Sequence, residues 1–205
     1  MTEAAAILRT GRKFDQVLRG AREVFMADGF EGASVDDIAR TAGVSKATLY
    51  SYFPDKRLLF MEVAQVECKR MAENVVAMVD DCKPAREVLT IAARELTVFL
   101  VSDFSQQMFR ICIAERDRFP ELGQTFYEAG PQNGQRKMVE YLEKAVNKGE
   151  LAIDDLQLAA EQFSELCKVR IWTRAAIGIQ KSFSKAEIDE IALQAVEMFM
   201  ARYGV

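Results

Sequence analysis

Apolar residues along this 205-residue chain recur at helical spacing almost from end to end, and no stretch sustains the two-residue alternation of a half-buried strand. Phe14, Val17, Leu18, Ala21, Val24 and Phe25 form one stripe, which stops at Gly29. Val35, Ile38, Ala39 and Ala42 form a second at i, i+3, i+4 and i+7, leaving Asp36, Asp37 and Arg40 on the wet side. Ser34 with Asp37 three positions on approximates a capping box, and Ala33 and Ile38 occupy the two positions of a hydrophobic staple. Gly43 is placed to end this helix at φ > 0, and Val44 can tuck into the angle between helices. Ser45 then caps a third helix from Lys46 to Phe53, in which Leu49 and Phe53 anchor the core.

Asp55 caps a fourth helix predicted to run to about Asp80, some ~37 Å at 1.5 Å per residue. Pro84 suits the first position of a fifth, Glu87 to Val101, and Ser102-Asp103 separates it from a sixth, Phe104 to Arg116. Pro120 and Pro131 are each expected to open a shorter piece, with Gly130 and Gly149 as stops. Asn133-Gly134 is a hairpin signal, but its flanks do not alternate. Two long helices close the chain, Asp155 to about Ile177 and Lys185 to Tyr203. The last has a capping box from Ser184 and Glu187 and a staple from Phe183 and Ile188. The fold class expected is all-α, with a three-helix head and a C-terminal helical body.

The stretch Ser34 to Lys56 carries the functional signal. Two short helices joined by a glycine turn, with Lys46, Ala47, Tyr50 and Ser51 left outside at the exposed start of the second, make a helix-turn-helix able to enter a major groove. Lys46 can neutralise a phosphate or reach a guanine edge, Tyr50 and Tyr52 can donate to phosphate, and small Ala47 permits close approach. Lys56 offers another phosphate contact. An ordinary helical hairpin with a solvated face would share this pattern.

The segment from Gly11 to about Phe60 also resembles the DNA-binding domain of the TetR family of bacterial transcriptional regulators, through Phe25, the Gly29-Phe30 corner and the LYSYF run. The resemblance implies DNA contacts from Ser34, Lys46, Ala47, Thr48, Tyr50, Tyr52 and Lys56, with Ser51 where the family often has a larger residue. It places a helix-turn-helix domain at residues 1–56 and a ligand-binding and dimerisation domain at 57–205. Arg118 to Pro131 and Ala159 to Phe163 further resemble the C-terminal region of an AefR-like subgroup.

Charge complicates this picture, because 27 basic against 31 acidic residues give a net charge of −4. Residues 1–56 hold 8 basic and 8 acidic side chains, so the whole excess lies beyond them. Arg9, Arg12, Lys13, Lys46 and Lys56 would then form a local basic face on an acidic body, which disfavours wrong docking orientations. Half of the chain is apolar, enough for a substantial core. No apolar run approaches the roughly 18 residues of a membrane span, and no secretory leader is evident, so a cytoplasmic protein without a membrane partner is expected. Cys68, Cys82, Cys112 and Cys167 lack metal-ligand spacing and read as small buried hydrophobes. With no histidine, the chain cannot build histidine-dependent triads or the usual zinc and di-iron helical sites, and no glycine-rich phosphate loop appears. Neither enzyme activity nor a cofactor or metal is expected.

The body offers two further sets of residues. Phe163, Leu166, Val169, Arg170, Thr173, Ile188, Ala192, Ala195 and Phe199 give the last two helices more apolar surface than one core needs, and the resemblance implies a homodimer built there. Phe99, Met108, Phe109, Cys112, Phe126, Phe163, Cys167 and Trp172 could line a pocket for a small-molecule effector, or serve simply as core. Arg110 and Glu115 could orient a polar ligand group. The function expected is a homodimeric repressor released from double-stranded, palindromic operator DNA by a small, largely apolar ligand. The alternative is a DNA-bound adaptor or activator controlled by a protein partner.

Overall fold

A computed structural model describes residues 11–78 and 83–205, the side chains at 71, 72 and 74–78 excepted. The helices are α1 (Arg12–Gly32), α2 (Val35–Ala42), α3 (Lys46–Tyr52), α4 (Lys56–Met78), α5 (Ala85–Val101), α6 (Asp103–Ala114), α7 (Pro120–Tyr127), α8 (Asn133–Asn147), α9 (Leu156–Leu166), α10 (Trp172–Ala176) and α11 (Lys185–Tyr203). Among the described residues strand pairing is limited to an isolated antiparallel bridge between Leu151 and Gly204. The all-α class is therefore correct. Arg9, Cys82 and the end expected for the fourth helix at Asp80 lie outside the described residues.

The chain divides into two compact units, Met1–Glu67 with Gln107–Phe126, and Cys68–Gln106 with Tyr127–Val205. In the first, Phe25, Phe30 and Phe60 form a triangle of rings with centroids 5.0 to 6.1 Å apart, while Phe14 stacks on Phe53 and meets Tyr52 edge-on. Gly29, at φ 70 and ψ 179, breaks α1 so that Phe30 can turn into this cluster. Gly20 lets α1 and α2 approach to backbone contact, since a Cβ there would lie 2.6 Å from the Ala42 nitrogen. The buried carboxylate of Glu67 is held by the Arg22 guanidinium, which raises the arginine's pKa further.

The second unit packs α5 and α9 against α11 around Leu89, Ala93, Phe163, Val196 and Phe199, with the Phe163 and Phe199 rings edge to face at 5.3 Å. Arg94 pairs with Asp189 at 2.6 Å and Arg86 with Glu197 at 2.5 Å, tying the outer edges of α5 and α11 together. The Tyr203 hydroxyl donates to Gln162 at 2.6 Å.

Four expected elements come out differently. α5 begins at Ala85, with Pro84 as the residue before the helix; the Ala85 N–H finds the carboxylate of Glu150 instead of a local cap. α6 ends at Ala114, two residues short of Arg116. Pro131 opens no helix, and Gly130 stops none. Both lie in a π-helical turn, Glu128–Gln132, that joins α7 to α8, and its wider winding accommodates a residue that has no N–H to donate. The helix expected from Asp155 to Ile177 is broken between α9 and α10, where Arg170 takes φ 68. The break leaves Cys167 and Ile171 both wholly buried. By contrast α11 runs from Lys185 to Tyr203 with the Ser184–Glu187 capping box intact, as expected.

Candidate nucleic-acid interface

The helix-turn-helix is fixed by local hydrogen bonds. The Ser34 hydroxyl accepts the Asp37 N–H at 3.0 Å and donates to the Asp37 carboxylate at 2.5 Å, which with Arg40 holds that carboxyl below its ordinary range. α2 ends at Gly43, φ 66, where the Gly43 N–H reaches Arg40 and the Val44 N–H reaches Ala39. Ser45 then accepts the Thr48 N–H at 3.1 Å and starts α3. Leu49 is buried and plants α3 on the core, as does Phe53 just beyond its end.

This anchoring turns Lys46, Ala47, Tyr50 and Ser51 outward as a continuous exposed patch, with Tyr50 48 % exposed. Thr48 and Tyr52 are half-buried: the Thr48 hydroxyl lies 2.9 Å from that of Ser45, and the Tyr52 ring leans on Phe14. Lys46 is paired with Asp36 across the turn, and Arg40 with Asp37. Arg12 and Lys13 are exposed at the start of α1. Lys56 is less free than its sequence position suggested. Its ammonium donates to the Phe30 and Ala33 carbonyls at 2.8 and 3.0 Å and lies over the Phe30 ring, leaving one of three N–H bonds for a phosphate.

Beyond the helix-turn-helix, Arg57 binds Asp55 at 2.5 Å and Glu115 at 2.8 Å and covers the Phe119 ring. Hydrogen bonds from Arg57 hold the Asp55 carboxyl below its ordinary value, and both carboxylates raise the guanidinium's pKa. Glu115 is thus already engaged, whereas Arg110 is exposed.

The residues considered for a pocket divide between the units. In the first, Met108 and Cys112 are buried and Phe109 and Phe126 half-buried; burial pushes the Cys112 thiol up to about 11. In the second, Phe163 and Cys167 are wholly buried and Phe99 and Trp172 half-buried, with the Cys167 thiol pushed up to about 12 by its burial. A surface depression of about 600 Å³ on α1 is lined by Arg19, Arg22, Glu23, Met26 and Ala27 and includes none of these. Gln106, absent from the sequence-based set, is 5 % exposed and carries a carbonyl oxygen without a hydrogen-bond partner among the described residues. Only the fold could single it out, because a glutamine in a helix has no sequence signature of burial, and its neighbour Gln107 is the same residue type.

The residues considered for dimerisation also separate. Phe163, Ala192, Ala195 and Phe199 lie inside their own unit's core. Leu166 and Ile188 are half-buried, and Val169, Arg170 and Thr173 are exposed. Periodicity marks a broad apolar surface without saying which part of it faces inward. Leu158, Leu193 and Met198, at 46, 48 and 63 % exposure, are the large outward apolar residues on α9 and α11.

No helix among the described residues is long and apolar enough to cross a membrane, and no group of three metal-ligating side chains is found among them. A capped, core-anchored helix-turn-helix in an all-helical chain is the arrangement of a DNA-binding transcriptional regulator, and the comparisons with known proteins agree. Residues 17–63 match the bacterial regulatory proteins of the tetR family, and residues 87–205 match the C-terminal domain of AefR-like transcriptional repressors. The chain belongs to the TetR family of transcriptional regulators, which are not enzymes. It is 40 % identical over 60 residues to the transcriptional repressor AcnR of Corynebacterium diphtheriae, a match covering 29 % of this chain and 32 % of that one. The chain thus spans about a third of that relative's length. A crystal structure from Mesorhizobium loti assigned to the TetR family superposes with a TM-score of 0.82 at 30 % identity, covering 95 % of this chain and 98 % of the other. The flavonoid-responsive regulator FrrA superposes at 0.66 and 32 % identity, over 95 % and 98 % of the two chains.

Proposed function

We propose that the protein is a homodimeric, cytoplasmic repressor that binds a palindromic operator through Ser34, Lys46, Ala47, Thr48, Tyr50, Tyr52 and Lys56, and leaves it when a small, largely apolar ligand occupies the body. Residues 1–56 act as reader and 57–205 as ligand-binding and dimerisation domain. The observation that carries the reading is the outward patch of Lys46, Ala47, Tyr50 and Ser51 on a helix held from behind by Leu49. Repression is supported by the likeness to AcnR and to AefR-like repressors, and ligand control by the likeness to a regulator that responds to flavonoids.

A two-fold protein supplies the two readers that a palindrome requires. Leu158, Val169, Leu193 and Met198, with half-buried Leu166 and Ile188, are the apolar residues that a partner subunit would cover. The candidates to take the ligand are Met108, Phe109, Cys112 and Phe126 in the first unit and Phe99, Phe163, Cys167 and Trp172 in the second. The ligand can release DNA only by preferring one state of the body, so operator DNA must weaken ligand binding by the same factor.

Lys46→Ala and Tyr50→Ala should each weaken binding to a near-palindromic duplex taken from beside the coding gene, with helicity and oligomeric state unchanged. Fluorescence anisotropy over a salt series should give Lys46→Ala a slope smaller by about 0.9, the value for one lost phosphate contact. Unaltered affinity and slope in both variants would refute the assignment of α3 as reader.

A further inference from the structure

α2 opens with two neighbouring aspartates, and the fold treats them differently. Asp37 is occupied in structure. Its N–H and its carboxylate both meet the Ser34 hydroxyl, and Arg40 pairs with the same carboxylate, so it closes the first turn and sets a negative charge at the helix N-terminus. That cap is made without Asp36. The Asp36 side chain is 61 % exposed and reaches across the turn to the ammonium of Lys46, the first residue of α3, itself 57 % exposed. The contact sets the Asp36 carboxylate beside the outward patch of Lys46, Ala47, Tyr50 and Ser51.

Stability does not account for a carboxylate at this place, because an exposed ion pair contributes little to folding. For DNA binding in general it is unfavourable, since every phosphate repels it. What a carboxylate offers is a pair of oxygens that only accept hydrogen bonds. The bases present two donors in the major groove, the N6 amino group of adenine and the N4 amino group of cytosine. In an A·T pair the amino group lies between two acceptors, adenine N7 and thymine O4, so the second carboxylate oxygen meets a lone pair on either side. In a G·C pair the cytosine amino group ends the row, with guanine O6 on one flank and a carbon-bound hydrogen on the other. The second oxygen then has a side on which nothing repels it.

We propose that Asp36 is a specificity-determining residue that accepts a hydrogen bond from the N4 amino group of a cytosine in the major groove. The proposal rests on the reading of α3 as the DNA reader and adds to it a base that the site selects. Lys46 is then a positioning residue for Asp36 as well as a phosphate contact. An ammonium has three N–H bonds, so one holds Asp36 while another goes to the DNA backbone, and its charge offsets the repulsion between the carboxylate and the phosphates. On a sequence without that cytosine the carboxylate loses water and receives no hydrogen in return, which weakens the complex.

The test is selection from a random duplex library, with sequencing of the bound fraction, by the full-length wild type, Asp36→Ala, Asp36→Asn, Lys46→Ala and Tyr50→Ala. Wild-type sites should contain one G·C pair in each half-site at which any other pair costs at least about fivefold in affinity. Asp36→Ala should reduce that preference to about one and keep the rest of the selected sequence. Lys46→Ala should weaken binding throughout and relax the same pair. Asp36→Asn retains an acceptor and gains donors, so cytosine stays allowed while thymine, through O4, becomes accepted. If Asp36→Ala does not fold, the loss of discrimination between cytosine and thymine in Asp36→Asn decides the question.

An Asp36→Ala variant that keeps every wild-type preference overturns the proposal, as does one that changes its affinity for all sequences alike or relaxes an A·T pair instead. If Lys46→Ala or Tyr50→Ala still weakens binding in that case, α3 remains the reader and only the role of Asp36 fails. If those two variants bind and select as the wild type does, the reading of α3 itself fails. A wild type that selects no sequence from the library overturns both.

Discussion

α3 and α11 each begin at a serine whose hydroxyl accepts the N–H three residues on, Ser45 from Thr48 and Ser184 from Glu187, yet they divide their surfaces in opposite ways. α3 has seven residues and buries one of them, Leu49. α11 has nineteen and buries six, from Ile191 to Tyr203. A helix held by a cap at its start and a single interior side chain has most of its faces available to a partner. A helix with six interior side chains is part of what keeps the body folded. Surface chemistry can therefore change on α3 with little effect on stability, while most changes along the inner face of α11 unfold something first.

The largest expected effect tests that contrast directly. Phe199→Ala removes a ring that meets both Phe163 and Tyr203 and should cost about 3–5 kcal/mol in denaturant unfolding. Tyr50→Ala should stay within about 0.5 kcal/mol of the wild type. Comparable losses would mean that α3 is also a stabilising element and would break the comparison.

An intermediate effect sharpens it by locating where the reader is vulnerable. Gly20→Ala forces a Cβ to within 2.6 Å of the Ala42 backbone, which cannot yield as a flexible side chain would. Overpacking should cost about 1–3 kcal/mol and displace α2, so both thermal stability and operator affinity fall. An unchanged melting temperature would show that α1 and α2 do not pack this closely.

The smallest effect concerns the outer face alone. Asp36 engages Lys46 in the free protein, so if Lys46 binds a DNA phosphate, as proposed, that phosphate competes with a carboxylate for the same ammonium. Asp36→Asn should tighten operator binding by up to about fivefold at low salt, less as salt rises, with stability unmoved. Anisotropy would expose the opposite outcome, a weakening, if Asp36 instead serves to aim Lys46 at the DNA.

These differences also mark which parts of the molecule the sequence made legible. The helix-turn-helix and α11 are bounded by caps, staples and a C-terminal glycine, all within a few residues of the helix ends they set, and Ser34, Gly43, Ser45 and Ser184 lie where expected. The break between α9 and α10 has no such marker. Arg170 at positive φ is neither glycine nor asparagine, and the turn places Ile171 inside, a matter of tertiary packing. Pro131 misled because it signals a boundary in a regular α-helix but sits inside a π turn here. Among the site residues, the exposed positions of α3 follow from where Leu49 must point. The inner and outer halves of the broad α9 and α11 surfaces do not, which is why Phe163 and Phe199 were candidates for an interface and lie in the core.

The first turn of α4 has a mechanical meaning. Lys56 is fastened to the carbonyls of Phe30 and Ala33, and its neighbour Arg57 to Asp55, Glu115 and Phe119. Adjacent residues project about 100° apart around a helix axis, so the two fastenings grip the rod on different sides. Spinning it about its own length would strain both, whereas leaning it carries the reader and the segment around Glu115 along together. The joint is therefore stiff in torsion within the first unit.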